Sequence, residues 1–313
     1  MKTFSLIYCG LILSLSAPAH AGSYEGSTFE DVWSAATEGP YATLPAYKVT
    51  TASFFDILGD KLQKAASRTL LNESDVLPPF RKLLHANGVC LAGTWSITED
   101  SPYSGYFAKG AEGLIVARAS SALSETKRGE KRSFGLAGKI FPTLGRNVQA
   151  KTANFFVIDN LGGTFTPSYL DTSMTNDISA LKLGPANAPN LLVAAAAGRA
   201  LKAAEDALGG GNPFVRQLYP ISELGIEDKS SAVTPRLLRI QGEPGARDPI
   251  EDFRDELAVA HPGQPLVFTI EVSSSADVTK AVWTPIGQMT FTEASASLGC
   301  DQRVHFAHPA WRK

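Results

Sequence analysis

The sequence predicts an α+β chain built on an antiparallel sheet that helices interrupt. Three observations carry this. Residues 89–98 alternate apolar and polar in the two-residue period of a half-buried strand. The strand-like segments that follow are mostly joined by connections too short for a helical crossover, which argues for antiparallel pairing. Between them lies an alanine-rich block, 188–208, with high helix propensity and a stop at Gly209-Gly210-Gly211.

Read in order, the chain opens with Lys2, an apolar run from Phe4 to Leu15 and a small-x-small site at Ala19-His20-Ala21, the layout of a secretory signal. That run is too short to span a bilayer, so residues 1–21 are expected to be removed, with no membrane anchor and a periplasmic or secreted destination. Residues 22–50 show little periodicity and read as a surface arm, while 53–66 have the apolar spacing of a helix. Residues 22–74 are therefore expected to form an N-terminal arm and helix, and 75–313 the sheet domain. Pro78-Pro79 ends regular structure. Strands are expected at 89–98, 113–119, 134–141, 154–158, 265–272 and 281–292, with 121–132 as a polar connection. Residues 214–249, rich in prolines and turns, are expected to wrap over the sheet. Residues 252–260 read as a short amphipathic helix ended by Pro262-Gly263.

Composition narrows the functional classes. Lys plus Arg number 29 and Asp plus Glu 31, for a net charge of -2, so electrostatics gives no case for a nucleic-acid partner. Beyond the signal two cysteines remain, Cys90 and Cys300. They are either a disulfide, which an oxidising compartment permits, or two buried thiols. The triple glycine is not a phosphate loop, since no Lys-Ser or Lys-Thr follows it, and neither a serine nucleophile elbow nor a zincin motif is present.

Chemistry concentrates around His85, in Arg81-Lys82-Leu83-Leu84-His85-Ala86-Asn87-Gly88. Val116-Ala117-Arg118-Ala119-Ser120 follows, then Gly135-Leu136-Ala137-Gly138-Lys139, then Asn154-Phe155-Phe156-Val157-Ile158-Asp159. A histidine that can pass a proton, an alcohol that can hold its tautomer and an arginine that can meet an anion suit peroxide chemistry over a flat aromatic cofactor.

In order and interval these four segments resemble the N-terminal half of the haem catalase superfamily, and the small catalase-related proteins in particular. Phe253-Arg254-Asp255-Glu256-Leu257 before Pro265-Leu266-Val267-Phe268 adds to the likeness. The resemblance covers about residues 75–313 and implies a catalase-like antiparallel β-barrel with flanking helices, lacking most of the family's C-terminal helical region. It implies haem as cofactor and hydrogen peroxide or an organic hydroperoxide as substrate. His85 would be the distal general acid–base and Ser120 the group that orients it. Arg118 and Lys82 would meet the haem propionates, Phe155 and Phe156 would pack beside the macrocycle, and His85, Ser120 and Phe155 or Phe156 would line one cavity on the inner or mouth side of the sheet. On their own, the two aromatics read equally well as strand neighbours facing opposite sides, one of them in the core.

Two positions depart from the family pattern. The peroxide-orienting asparagine falls near Ala150-Lys151, with Asn147 and Asn154 displaced to either side. The tyrosinate that holds catalase iron has no counterpart, since no tyrosine follows Tyr219. His305 or His308, ahead of Cys300, are the substitutes the tail offers. Two alternatives stand beside the peroxidase reading: a haem-free pseudo-catalase acting as a binding or structural module, and a lipid-hydroperoxide rearranging enzyme.

Overall fold

The computed structural model describes residues 28–44, 76, 79, 82, 85–121, 126–128, 133–150, 152–159, 168–176, 235–245, 250–275 and 277–306. Eight antiparallel strands close on themselves as a barrel in chain order. They are β1 (Gly88–Ile97), β2 (Glu112–Ser121), β3 (Phe134–Phe141), β4 (Ala153–Ile158), β5 (Ser173–Thr175), β6 (Leu237–Gly242), β7 (Leu266–Ser273) and β8 (Thr284–Ser295). Closure comes from β8 pairing with β1, with Cys90 opposite Ser295 and Ile97 opposite Gly287.

The two-residue period of each strand divides the barrel into an inside and an outside. Val89, Leu91, Ala117, Ala119, Leu136, Phe155, Val157, Leu238, Ile240, Phe268, Ile270, Met289 and Phe291 fill one continuous interior core. Each large side chain removed from water there stabilises the fold by about 1.5–3 kcal/mol. Alternate residues Cys90, Ala92 and Val116 face outward into a second, smaller core shared with Phe29, Val32, Trp33 and Cys300.

Among the described residues three short α-helices lie on this frame: α1 (Phe29–Ala36), α2 (Phe253–Leu257) and α3 (Leu298–Gln302). A capping box starts α1, with Thr28 accepting from the Asp31 N–H and Asp31 accepting from the Thr28 N–H. Asp252 caps α2 by accepting from the Arg254 N–H, and Ser297 caps α3 by accepting from the Cys300 N–H.

The expected strands at 89–98, 113–119, 134–141, 154–158, 265–272 and 281–292 correspond to β1, β2, β3, β4, β7 and β8, with shifts of up to three residues at the ends. Two expectations need correction. Residues 22–50 hold α1, whose Phe29, Val32, Trp33 and Ala36 have helical spacing and pack into the outer core, a single short period amid Gly, Ser, Thr and Pro. Within the expected wrap of 214–249, residues 237–242 are a barrel strand. Leu238 and Ile240 point inward there, and the segment is only six residues long, starting two residues after Pro235 and ending at Gly242. The signal segment and the helices expected at 53–66 and 188–208 lie outside the described residues.

Candidate functional site

The motif residues gather on the outer wall of the barrel, where β2, β3 and β4 run side by side. On β2, Ala117 and Ala119 point into the core, so Arg118 and Ser120 point out. His85 precedes β1 in a left-handed backbone conformation, φ 57°. This turn carries the imidazole across the wall, where Nδ1 lies 2.9 Å from Ser120 Oγ. The Phe156 ring stands edge-on to the imidazole, with centroids 6.3 Å apart and planes at 86°. The backbone beneath is bare, because Gly135 is the β3 partner of Ser120.

Arg118 lies beside this pair and is 6% exposed. Nε donates to the Cys300 carbonyl at 3.1 Å. Nη2 donates to the Ala86 carbonyl at 3.2 Å and to Asp301 Oδ1 at 2.5 Å. Lys82 Nζ donates to the carbonyls of Val304 at 2.8 Å and Cys300 at 3.3 Å. Both cations thus hold α3 and the segment after it against the wall. Burial pushes the Asp301 carboxyl up from its ordinary value, against the opposing pull of Arg118 and Lys82. A disulfide joins Cys90 of β1 to Cys300 of α3, with Cα atoms 5.6 Å apart. Of the two states left open by the sequence, the structure has the bridged one.

On the interior side, Tyr169 is fully buried and donates from its hydroxyl to the Gly135 carbonyl at 2.9 Å. Burial pushes its phenol well above the ordinary tyrosine value, so it is a neutral donor. The segment after α1 continues across the same region. Asn87 forms a two-way amide bond with the Leu44 backbone, at 2.8 and 3.0 Å. Arg254, paired with Asp252, donates to Thr43 Oγ1 and lies over the Tyr41 ring.

The structure therefore brings together His85, Ser120, Phe156 and Arg118, with Lys82 reaching the same helix. Three expectations are corrected. The cluster lies on the outer wall, whereas an inner or mouth-side cavity was expected, because Ser120 and Phe156 have the outward parity of their strands. Phe155 has the opposite parity and packs inside against Trp95, centroids 6.1 Å apart, so it does not flank His85. Cys300 has no thiolate to offer iron, since its sulfur is in the disulfide. His305 is half-buried just beyond Val304, and His308 lies outside the described residues. Sequence reasoning missed Asp301, and it quoted Gly135 and Asn87 within motif segments without giving them a role. Asp301 had one available signal, its place next to a cysteine capable of bridging to β1.

No family model matches the chain. No curated protein matches it either. Among solved structures, a bacterial catalase aligns with TM-score 0.37 and 12% identity over 83% of this chain and 55% of its own. Catalase A from Saccharomyces cerevisiae gives 0.37 and 12% over 82% of this chain and 59% of its own. A fungal catalase gives 0.37 and 13% over 82% and 57%. The chain thus spans little more than half the length of these catalases.

The wall can be tested for haem on its own residues. A half-buried imidazole held by a hydroxyl, a glycine floor beneath it and an aromatic edge beside it fit the distal side of a flat macrocycle. Arg118 already holds one carboxylate, but a guanidinium has five N–H donors and can hold more than one acceptor.

Proposed function

We propose that this chain is an exported haem-dependent peroxidase acting on hydrogen peroxide or an organic hydroperoxide. The observation that carries the reading is the His85–Ser120 hydrogen bond, because it gives an outward-facing imidazole a fixed orientation. Export is supported by the Cys90–Cys300 bridge, since disulfides persist in oxidising compartments. Haem, when bound, supplies the redox iron at which the O–O bond is broken. The Arg118 guanidinium and the Lys82 ammonium would meet its propionates, and Phe156 would pack beside its ring. With Cys300 oxidised, a tail imidazole, His305 or His308, would hold its iron, because neutral nitrogen binds a metal without deprotonation.

The chain's own work is proton transfer. With Nδ1–H donated to Ser120 Oγ, Nε2 takes the proton from the substrate hydroperoxide and returns it to the departing oxygen. General acid–base catalysis of this kind is worth about a hundredfold to ten-thousandfold. Ser120 fixes the tautomer and ring plane that the transfer requires.

One observation favours a second reading, a haem-free barrel serving as a binding or structural module. Arg118, the proposed propionate partner, is buried against Asp301. Absorption spectroscopy of the full chain incubated with haemin separates the two. The peroxidase reading expects a Soret band, with His85→Ala keeping the band and losing turnover by about a hundredfold or more. Absence of any haem band establishes the haem-free reading, and unchanged turnover in His85→Ala removes His85 from the chemistry.

A further inference from the structure

We infer that Gly135 is a positioning residue, the seat on which the His85 imidazole is held in register with Ser120. The ring rests against bare backbone at this one point of β3. A Cβ at position 135 would come within 3.0 Å of His85 Cε1 and 3.6 Å of Nδ1. The first distance is tighter than ordinary van der Waals contact, so either the ring or the strand would have to yield.

The strand is not free to recede. From inside the barrel, Tyr169 donates to the Gly135 carbonyl. Its own ring is wedged between Phe134, at 4.7 Å, and Phe253, stacked at 5.7 Å. On either side, β3 is paired with β2 through Ser120 and with β4 through Ile158. The barrel wall here is one residue thick, with a buried phenol fixed to one side and the imidazole laid on the other. The ring must therefore move, and its Nδ1 bond to Ser120 is what the movement stretches.

A similar arrangement recurs two strands away, on β1. A Cβ at Gly88 would come within 2.5 Å of the Ala119 carbonyl oxygen and 2.8 Å of the Arg118 guanidinium carbon. The two outward groups at the centre of the cluster thus both lie over glycines, whereas Gly138 has an interior neighbour. A Cβ there would meet the Phe155 ring at 2.6 Å. Gly138 is consequently a control that disturbs β3 without touching His85.

The catalytic consequence of this seat rests on the peroxidase reading, but its geometry does not, and the test needs no haem. The full chain labelled with 15N-histidine reports the tautomer of each imidazole, and His85→Ala assigns the His85 signals. Ser120→Ala defines the signature of an imidazole released at Nδ1. Gly135→Val is expected to reproduce that signature, with Gly135→Ala between it and the wild type. Gly138→Ala is expected to lower the melting temperature while leaving the His85 signals in place. A wild-type His85 signature in Gly135→Val, or an equal change in Gly138→Ala, overturns the inference. Should the valine variant not fold, the melting temperature of Gly135→Ala decides. Its loss must shrink when His85→Ala removes the ring, and an undiminished loss likewise overturns the seat.

Discussion

His85 sets backbone and side chain against each other. A non-glycine residue at φ 57° gives up about 1–2 kcal/mol relative to the right-handed region, because its Cβ crowds the carbonyl oxygen. The bond to Ser120 returns about 1 kcal/mol. This balance makes a prediction that separates the two terms. His85→Gly keeps the left-handed turn at no steric cost, whereas His85→Ala keeps the strain and loses the bond. The glycine variant should therefore be the more stable of the two by about 1 kcal/mol in urea unfolding, although glycine ordinarily weakens a fold relative to alanine. The reverse order would mean that the turn is not held in the native state. Residue identity made part of this site legible: a histidine, an Arg-x-Ser and a Phe-Phe pair in order sufficed to place His85 beside Ser120. Asp301 was missed because its one signal, a place next to a cysteine able to bridge, gains meaning only once the disulfide determines which wall it faces.

Among the elements, α3 depends most on contacts distant in sequence. It has five residues, too few to be helical alone. What fixes it is the bridge to β1, the donors of Arg118 and Lys82 to the Cys300 carbonyl, and the Ser297 hydroxyl donating to the Ala36 carbonyl at 2.6 Å. The disulfide closes a sequence separation of 210 residues. Replacing both cysteines by alanine should therefore cost about 2–5 kcal/mol, chiefly by freeing the unfolded chain, with a lower urea midpoint as the readout. Loss confined to a few tenths of a kcal/mol would indicate that the cations alone hold the helix. Legibility among the elements followed length and alternation. β1, β2 and β8 have 10, 10 and 12 residues and were visible, whereas three-residue β5 carries no period at all. β6 was masked by the proline-rich context around it, and only closure of the sheet reveals that a strand must lie between β5 and β7.

For the whole molecule, barrel closure moves several charges out of water together, and this sets the acid behaviour. Burial alone would raise the Asp252 carboxyl. The side chain and N–H of Arg254, with Thr126, hold it below the ordinary value instead. A depressed carboxylate stabilises the fold above its unfolded pKa, about 3.9, and that stabilisation is lost as pH falls through the folded value. Asp301 has the opposite sign. Its folded value is raised by burial, so the native state binds the proton first and gains stability as pH falls through that value. The two carboxylates should therefore be separable in a series of urea-unfolding free energies from pH 7 to pH 3. Asp252→Asn keeps the cap on α2, since asparagine also accepts from the Arg254 N–H, so its effect is mainly one of charge. Relative to wild type, the Asp252→Asn difference should shrink as pH falls below about 4, where the wild type has lost the same contribution. The Asp301→Asn difference should instead widen on acidification, because the wild type gains a stabilisation that the variant cannot. Parallel differences for the two variants would show that the field of Arg118 outweighs burial at Asp301. That pair would then stabilise the fold in the same sense as the pair at Asp252.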